Sequence, residues 1–399
     1  MPRDEIRVEI TGLAPGGDAV GRQLGGAADG RVTFVPFAAP GELVKVRLVR
    51  EKARAAWGEL VEIERASQAR VAPACPLFER CGGCQWQHVD DRIQRSAKGD
   101  IVARALGITL SEATPVGPSY GYRERARLAV GPQNTLGFRA RDSNEVVDVT
   151  TCPLLAPALD AALPEARRRA AGLPVGAEIH LLLGDGGVVA GDAWGRGFRV
   201  RVEPAGAGVV AGPGEELYLS DPEGWPNVAE PGSRPLRVPP NGFAQVGRAG
   251  NAALVAAVAA AIGPHPGRVL ELFAGSGNFT RLLVARASAV IASDADERAV
   301  ARGRRNVPEA DWRTAATLGP TVLPVDTVLV DPPREGLDER SLALCAGGRE
   351  LVYVSCDPQT LTRDMGHLLR RGMRLVGAVA LDLMPQTHHV EVVAHFTHR

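Results

Sequence analysis

The sequence lacks a hydrophobic run long enough to cross a membrane. Its longest apolar stretch, residues 252–262, falls well short of the roughly 20 residues that a bilayer span requires. Residues 1–7 are rich in charge and do not have the form of a secretory signal, which needs an apolar core and a small-residue cleavage site. We therefore expect a soluble, cytoplasmic protein, and a monomer is the default expectation.

A surplus of charge of one sign is also missing. Lys and Arg number 46 and so do Asp and Glu, which counts mildly against nucleic-acid binding because phosphates are usually contacted by excess basic residues. A local basic cluster would still suffice. Cysteines are few, at six. In a chain without an export signal they favour metal ligands or catalytic groups over disulfides, because the cytosol keeps thiols reduced.

The 399 residues exceed the usual size of one hydrophobic core, so two or three domains are expected. Residues 1–66 contain short β-type runs between glycine-rich turns, which predicts a small barrel. Residues 67–238 hold three clustered cysteines and then strands broken by Gly and Pro, which predicts a β-rich middle domain. In residues 239–399 helices alternate with apolar strands, which predicts a parallel α/β sheet. Its predicted strands are residues 269–273, 290–293, 327–330, 351–354 and 390–394.

A predicted strand of this last domain runs into two glycines, Gly275 and Gly277, and then into a helix. Such a turn lets a ligand approach the backbone, although an ordinary strand-to-helix turn looks the same. Thr280 stands where a dinucleotide fingerprint has its third glycine, which weakens a nicotinamide site. Asp294 ends the next predicted strand, where a carboxylate can accept hydrogen bonds from ribose hydroxyls, whereas Asp296 suits the N-cap of the following helix.

Two further strands end in loops that carry reactive side chains, residues 331–334 and 355–358. The carboxyl ends of parallel strands face one crevice, so Cys356 is better placed as a nucleophile than as a buried inert thiol. Cys345, in an apolar helix-like run, is predicted to be structural. Glu391 interrupts an apolar strand, and it is either a solvent-facing residue or a general base beside the thiolate.

The remaining four cysteines form a spaced set. Cys75, Cys81 and Cys84 follow the pattern Cys-x5-Cys-x2-Cys, and Cys152 comes later in the chain. Four thiolates bind either zinc or an iron–sulfur cluster, and spacing alone favours zinc, with unpaired surface cysteines as the simplest alternative.

Three arginines alternate along a strand-like run: Arg123, Arg125 and Arg127. Alternation places them on one face, which suits either phosphate contact or plain solvation.

In this order, the motifs resemble the RNA 5-methyluridine methyltransferase family over nearly the whole chain. The resemblance implies a multidomain α/β protein with a TRAM (OB-like) RNA-binding barrel, a middle domain with an iron–sulfur cluster, and a Rossmann-like class I methyltransferase domain. It is carried by residues 12–14, 16–17, 32–36, 40–42, 241–246, 331–334 and 355–358.

The resemblance also implies roles for individual residues. Cys356 would be the nucleophile and Glu391 the base, while Phe243 would stack near the target base. A four-iron, four-sulfur cluster would be held by Cys75, Cys81, Cys84 and Cys152. S-adenosylmethionine would be bound by Gln245, Phe273, Gly275, Gly277, Asn278, Asp294 and Asp331. One departure is that residues 310–320, where the family has a polar adenine contact, contain no clear match.

Chemistry gives an independent reason for this residue set. C5 of uracil is too weakly nucleophilic to attack a methylsulfonium, but thiolate addition at C6 makes an enolate with electron density at C5. A base must then remove the C5 proton. Because a duplex hides both faces of the base, the uridine must be single-stranded or flipped out.

Competing functions fit the residues less well. An RNA cytosine-5 methyltransferase would carry a second cysteine at Pro333, and an amino-group methyltransferase an aromatic residue at Arg334. A radical methylthiotransferase would space its cysteines Cys-x3-Cys-x2-Cys. A non-catalytic RNA-binding protein would not need Cys356 and Glu391. Within the family, the TRAM-like domain and the four cysteines favour 23S ribosomal RNA as the substrate over transfer RNA.

Overall fold

A computed structural model describes residues 5–26, 28–185, 188–193, 196–201, 217–219, 235–238, 242–318 and 324–398. Parts of the predicted middle domain lie outside these ranges, and so do residues 319 and 320 at the end of the stretch 310–320. No helix in the described ranges is long and apolar enough to span a membrane.

The N-terminal strands form a closed barrel in the order β1-β2-β3-β5-β4, which confirms the predicted small barrel. Along β1, buried Val8 and Ile10 alternate with exposed Arg7 and Glu9, the period of two expected of a strand with one face in a core. The strands are β1 (Glu5–Leu13), β2 (Ala19–Leu24), β3 (Val32–Val35), β4 (Leu43–Glu51) and β5 (Ala55–Arg65).

The middle of the chain forms a six-stranded sheet in the order β12-β11-β10-β7-β8-β9 and a separate pair, β13 and β14. Two short helices cover the sheet with Leu159, Leu163 and Ala166 buried beneath them. The elements are β7 (Arg125–Val130), β8 (Leu136–Arg139), β9 (Val146–Asp148), α2 (Pro157–Ala161), α3 (Leu163–Ala170), β10 (Glu178–Leu183), β11 (Val188–Ala193), β12 (Arg196–Arg201), β13 (Leu217–Leu219) and β14 (Leu236–Val238).

The C-terminal part builds an eight-stranded sheet in the order β17-β16-β15-β18-β19-β21-β20-β6, in which β6 is Thr114–Pro115. Its other seven strands are β15 (Arg268–Leu272), β16 (Ala289–Asp294), β17 (Asp311–Thr314), β18 (Val325–Val330), β19 (Gly348–Ser355), β20 (Met373–Asp382) and β21 (Glu391–His398). Its helices are α4 (Arg248–Ile262), α5 (Thr280–Leu283), α6 (Glu297–Asn306), α7 (Glu339–Ala346) and α8 (Pro358–Arg370).

One prediction about this sheet is wrong. Strands β15 to β19 are parallel, but the strand predicted at residues 390–394 lies in β21 and pairs antiparallel with both β19 and β20. The reason is the short connection between β20 and β21, because a hairpin-like loop reverses the chain whereas a parallel pair needs a long crossover.

The eighth strand comes from far upstream. Helix α1 (Asp91–Leu106) and strand β6 (Thr114–Pro115) lie in the range expected to belong to the middle domain, yet β6 pairs with β20. Val102 and Leu106 of α1 are buried in the same core cluster as Leu351 and Phe396 of the sheet. This packing favours counting residues 91–115 with the C-terminal domain.

Candidate active site

Cys356 and Glu391 lie side by side at the carboxyl edge of the sheet. Cys356 directly follows β19 and Glu391 opens β21, and Ser355 is paired with Val392 across these two strands. Glu391 is only 6% exposed. Asp331 directly follows β18, the parallel neighbour of β19 on its other side. The sheet therefore brings the predicted nucleophile, the predicted base and a third acidic residue to one edge.

The electrostatics of this edge disfavour negative charge. Burial raises the pKa of Glu391 to about 8, with Asp331 adding to the shift and Arg334 opposing it. Burial likewise raises the pKa of Asp331 to about 7. The pKa of Cys356 is raised to about 11, first by burial and then by Glu391, while Arg334 again opposes the shift. The cation at Arg334 thus favours the ionised forms of both Cys356 and Glu391.

Arg334 is itself held by a neighbouring histidine. Its Nη2 atom lies 3.2 Å from Nε2 and 3.3 Å from Nδ1 of His389, and its carbonyl oxygen accepts a hydrogen bond from Oγ1 of Thr360 at 2.9 Å. Burial, followed by His388 and Arg334, lowers the pKa of His389 to about 3. His389 is therefore neutral near pH 7 and can lie against the guanidinium without charge repulsion.

Beside this edge lies a cleft that encloses about 740 Å³, counting the open solvent at its mouth. Six of the residues predicted from the sequence line it: Phe243, Gln245, Phe273, Gly275, Asn278 and Asp331. Gly275 has φ +55°, and no atom lies within 4 Å of the position that a Cβ would take. The turn therefore leaves open space against bare backbone, which suits a nucleoside cofactor.

Two other predicted cofactor residues are not in the lining of the cleft. Asp294 accepts a hydrogen bond from the backbone N–H of Gly275 at 2.8 Å and another from that of Asp296 at 2.9 Å, so it holds the glycine turn in place. A Cβ at Gly277 would come 3.4 Å from the Trp312 ring, so this glycine serves packing. Asp296 caps α6, as predicted.

Thr280, which replaces the third glycine of a dinucleotide fingerprint, has a structural partner. Its Oγ1 donates to Oε2 of Glu271 at 2.5 Å, and both side chains are buried. The bond ties the first residue of α5 to strand β15 beneath the turn.

Asn251 is a cleft residue that the sequence analysis did not predict. Its amide and that of Asn278 exchange two hydrogen bonds, of 2.9 and 2.7 Å, and both residues line the cleft. A polar side chain in the first turn of the otherwise apolar helix α4 is the signal that could have found it.

The four spaced cysteines gather around one cavity of about 380 Å³, although Cys152 is far from the other three in the sequence. The backbone N–H of Gly83 points at Sγ of Cys81, 3.4 Å away. Within the described ranges, no group of three or more Cys, His, Asp or Glu side chains is arranged as for a single metal ion. The cavity is lined by Cys75, Cys81, Cys84, Cys152, Phe78, Arg123 and Phe138, among others.

Burial raises the pKa of Cys81, Cys84 and Cys152, that of Cys84 to about 12. Such thiols remain protonated unless a cation replaces the protons. Four soft ligands in a half-buried cavity therefore fit a thiolate-bound metal centre.

The three arginines alternate with buried Ala126 and Leu128, but they do not form one exposed phosphate-binding face. Arg123 lines the cysteine cavity. Arg125 donates to the carbonyl oxygen of Ala244 at 3.2 Å, and its guanidinium carbon lies 5.7 Å from the ring centroid of Phe243. Arg127 is exposed and paired with Glu178. Phe243 itself is 67% exposed.

Cys345 is fully buried in the core of the sheet, as predicted. The stretch 310–318 consists of β17 and a short turn, and it adds no residue to the cleft lining.

Comparison with known proteins places this geometry in a family context. Residues 321–399 match the family model described as tRNA (Uracil-5-)-methyltransferase, and residues 1–61 match the TRAM domain. The chain is 34% identical to the 23S rRNA (uracil(1939)-C(5))-methyltransferase RlmD of Alkalilimnicola ehrlichii, over 99% of this chain and 97% of that protein. It is 32% identical to the protein of that name from Pectobacterium carotovorum, over 100% of this chain and 95% of that protein.

One solved structure matches this chain over nearly its whole length. The tRNA (uracil-54, C5)-methyltransferase of Pyrococcus abyssi, in complex with S-adenosyl-L-homocysteine, superimposes with a TM-score of 0.72 at 25% sequence identity. The match covers 98% of this chain and all of the other.

Proposed function

The chain belongs to the RNA uracil-C5 methyltransferase family, and from that membership we propose that it methylates C5 of one uridine in 23S ribosomal RNA. The observation that carries the proposal is the placement of Cys356 and Glu391 beside the cleft, through the pairing of Ser355 with Val392. Relatives named for 23S rRNA are 32–34% identical, against 25% for the solved tRNA enzyme, which favours ribosomal RNA.

The first step is attack by Cys356. Its thiolate bonds to C6 of the uracil, and the π electrons of the C5–C6 bond move toward O4 as an enolate. Since burial and Glu391 hold the pKa of Cys356 high, Arg334 is the neighbour that favours the thiolate. The enolate then has the electron density at C5 that methyl transfer requires.

S-adenosylmethionine supplies an electrophilic methyl group, and S-adenosylhomocysteine leaves once C5 has taken it. We assign its contacts to Gln245, Phe273, Asn278 and Asp331 of the cleft, and assign to Asp294 the task of holding the Gly275 turn.

Glu391 completes the reaction. Its carboxylate accepts the C5 proton, the C5–C6 double bond re-forms, and the bond from C6 to sulfur breaks to return the thiolate. A base with a pKa near 8 is matched to this task, because it holds a proton strongly yet ionises close to neutral pH.

The four cysteines are assigned to a four-iron, four-sulfur cluster, which fits four thiols around one cavity. Methyl transfer has no redox step, so we assign the cluster a structural role: it holds the middle domain together and shapes the RNA-binding surface. The barrel and exposed Phe243 are assigned to RNA, with Phe243 against the flipped base. The enzyme acts as a cytoplasmic monomer under this proposal.

The test uses RNA that contains 5-fluorouridine. Fluorine at C5 cannot leave as a proton, so incubation with S-adenosylmethionine should accumulate a covalent protein–RNA adduct that migrates slowly on a denaturing gel. Peptide mapping should place the adduct on Cys356, and Cys356→Ser should form none. An adduct on any other residue would overturn the mechanism, and modification of transfer RNA alone would overturn the ribosomal assignment.

A further inference from the structure

The segment that carries the cysteines is bonded directly to the loop that leads into Glu391. The backbone N–H groups of Gln85 and Trp86 both donate to the carbonyl oxygen of Gln386, at 3.1 and 3.0 Å. Gln386 has φ +68°, a left-handed conformation that a non-glycine residue seldom adopts without support. The contact therefore fixes the loop between β20 and β21 in a defined shape.

A second set of bonds secures the same loop. Nε2 of Gln94 donates to Oε1 of Gln386 at 3.0 Å, and the backbone N–H of Gln386 donates to Oε1 of Gln94 at 2.9 Å. Nε2 of Gln94 also lies 3.1 Å from the carbonyl oxygen of Trp86 and 2.8 Å from that of Val89, so its two N–H groups are shared among three acceptors. Because all of these groups are buried and satisfied, the loop and the cysteine segment are held as one unit.

One side chain extends this connection toward the nucleophile. Nε2 of Gln85 donates to the carbonyl oxygen of Gly82, which lies between Cys81 and Cys84 in the sequence, at 2.8 Å. Oε1 of the same amide lies 3.1 Å from Nδ1 of His388. Gln85 thus contacts the cysteine loop with one end of its amide and the catalytic loop with the other.

From His388 the contacts continue to Arg334, whose charge acts on Cys356. The rings of His388 and His389 are 4.1 Å apart between centroids, and His389 lies against Arg334. The charged or titratable groups that act on Cys356 are Glu391, Arg334, Asp331 and Asp357. Arg334 is the one cation in that set, so its position affects the ionisation of the thiol more directly than any other link in the series.

We propose that Gln85 is a positioning residue: it connects the four-cysteine site to Cys356 by holding His388, and through it His389 and Arg334, in place. Loss of the bound cluster or of the Gln85 amide releases Arg334 from Cys356. The inference rests on the proposed function, since it takes Cys356 as the nucleophile and the four cysteines as ligands of a cluster.

The test measures the ionisation of Cys356 without RNA or turnover. The rate of alkylation of Cys356 by iodoacetamide is followed against pH, with peptide mass spectrometry separating it from the other cysteines, in the cluster-containing protein and in Gln85→Met. This variant keeps the length of the side chain and removes both hydrogen bonds. The profile should move up by about half a pH unit, a roughly threefold lower thiolate fraction at a given pH.

The direction of the shift separates positioning from general loosening. A loosened site exposes Cys356 and removes the effect of burial, so its profile would move down toward about 8.5, the ordinary value for a thiol. Gln68→Met makes the same substitution at an exposed glutamine and should leave the profile unchanged. A downward shift in Gln85→Met, or no shift, would overturn the proposal.

Two further measurements distinguish an effect of Gln85 on Arg334 from an effect of Gln85 on cluster binding. His388→Leu breaks the connection between Gln85 and Arg334 without substituting any residue of the cysteine segment. It should shift the alkylation profile upward and leave the iron content intact. Removing iron from the unmodified protein with a chelator should produce the same upward shift, and should add nothing in Gln85→Met. If Gln85→Met shifts the profile only when it has lost iron, and His388→Leu has no effect, the amide holds the cluster and not Arg334, and the proposal is wrong.

The experiments distinguish an error in the role of Gln85 from an error in the proposed function. A 5-fluorouridine adduct on another residue contradicts the assignment of Cys356 as the nucleophile but leaves the alkylation profiles as expected. Adduct formation at Cys356 with unshifted profiles contradicts the role of Gln85 alone.

Discussion

Ser355 and Val392 are cross-strand partners in the antiparallel pair β19 and β21, and this pairing sets the nucleophile opposite the base. Cys356 is the next residue after Ser355, and Glu391 is the residue before Val392, so both lie one position beyond the last pair of the ladder. Paired positions in antiparallel strands have Cβ atoms only about 4.5–5.5 Å apart. The two groups can therefore act on adjacent carbons of one base, C6 and C5.

Replacing Glu391 by glutamine should leave attack intact and slow release. The amide keeps the shape of the carboxyl group but cannot accept the C5 proton, so turnover should fall by about 100- to 10,000-fold, the usual contribution of a general base. With ordinary uridine RNA the methylated covalent intermediate should then accumulate on a denaturing gel. Rapid and complete turnover by Glu391→Gln would remove Glu391 from the role of base.

The pH dependence of the two half-reactions should differ. The pKa of Glu391 is raised to about 8, so its base form increases as the pH rises and proton release from C5 should level off above that value. The pKa of Cys356 is raised to about 11, so adduct formation with 5-fluorouridine should continue to rise at higher pH. The rate of proton release is measured as single-turnover release of tritium from C5. The rate of adduct formation is measured by gel shift. Proton release that is independent of pH between 6 and 9 would contradict the assignment.

The pair Asn251 and Asn278 should contribute to cofactor affinity. Asn251→Ala removes both hydrogen bonds to Asn278 and leaves a polar group in the cleft without its partner, at a cost of about 1–3 kcal/mol. The Kd for S-adenosylhomocysteine, measured by calorimetry, should rise roughly 5- to 150-fold, which is the same free energy expressed as a ratio. Asn144→Ala, at an exposed asparagine of the middle domain, should leave the Kd unchanged. Equal affinity in both variants would contradict the assignment.

The cysteine cavity should hold iron and sulfide. Protein purified without oxygen should be brown, with about four iron atoms and four sulfides per chain, as the cluster type requires. Cys84→Ser should lose most of this content, whereas Cys345→Ala, a change at a buried cysteine in the sheet core, should retain it. Stoichiometric zinc without iron would show that the site is a zinc site.

Lys98 and Asp382 form a buried ion pair, with Nζ and Oδ1 2.6 Å apart and both side chains almost inaccessible. Lys98→Met should destabilise the protein by about 3–5 kcal/mol, because it leaves the Asp382 carboxylate buried without its partner. Lys98→Met with Asp382→Leu should recover much of this loss, since no charge is then buried. Denaturant titration followed by fluorescence measures the differences, and equal stability of the single and double variants would contradict the expectation.

Local sequence patterns predicted much of this molecule because the relevant physics is local. Short β-type runs between glycine-rich turns marked the barrel, and a strand followed by Gly275 marked the cofactor turn. Parallel strands present their carboxyl ends at the same edge of a sheet, and this rule predicted the edge at which Cys356 lies. The position of Glu391 could not be predicted in this way, because it pairs with Leu381 of β20, a strand that the sequence did not indicate.

What the sequence could not show are pairings between distant segments. The bonds from Gln94 to Gln386 and from Lys98 to Asp382 join residues that are 292 and 284 positions apart. No periodicity connects such residues, and a glutamine or lysine on a helix is usually solvated. Similarly, the alternation of Arg123, Arg125 and Arg127 predicted a shared face, but Arg125 bonds to Ala244 and Arg127 pairs with Glu178, both far away in the sequence.

The upstream origin of α1 and β6 has a consequence for synthesis on the ribosome. Chains fold from the N-terminus as they emerge, and the barrel can close as soon as its own strands are free. Lys98 and Gln94, in contrast, emerge long before Asp382 and Gln386 are made, so their polar groups stay in water until the last strands appear. The catalytic sheet is thus completed only when nearly the whole chain has been translated, and a nascent chain cut short before β20 has no finished active site.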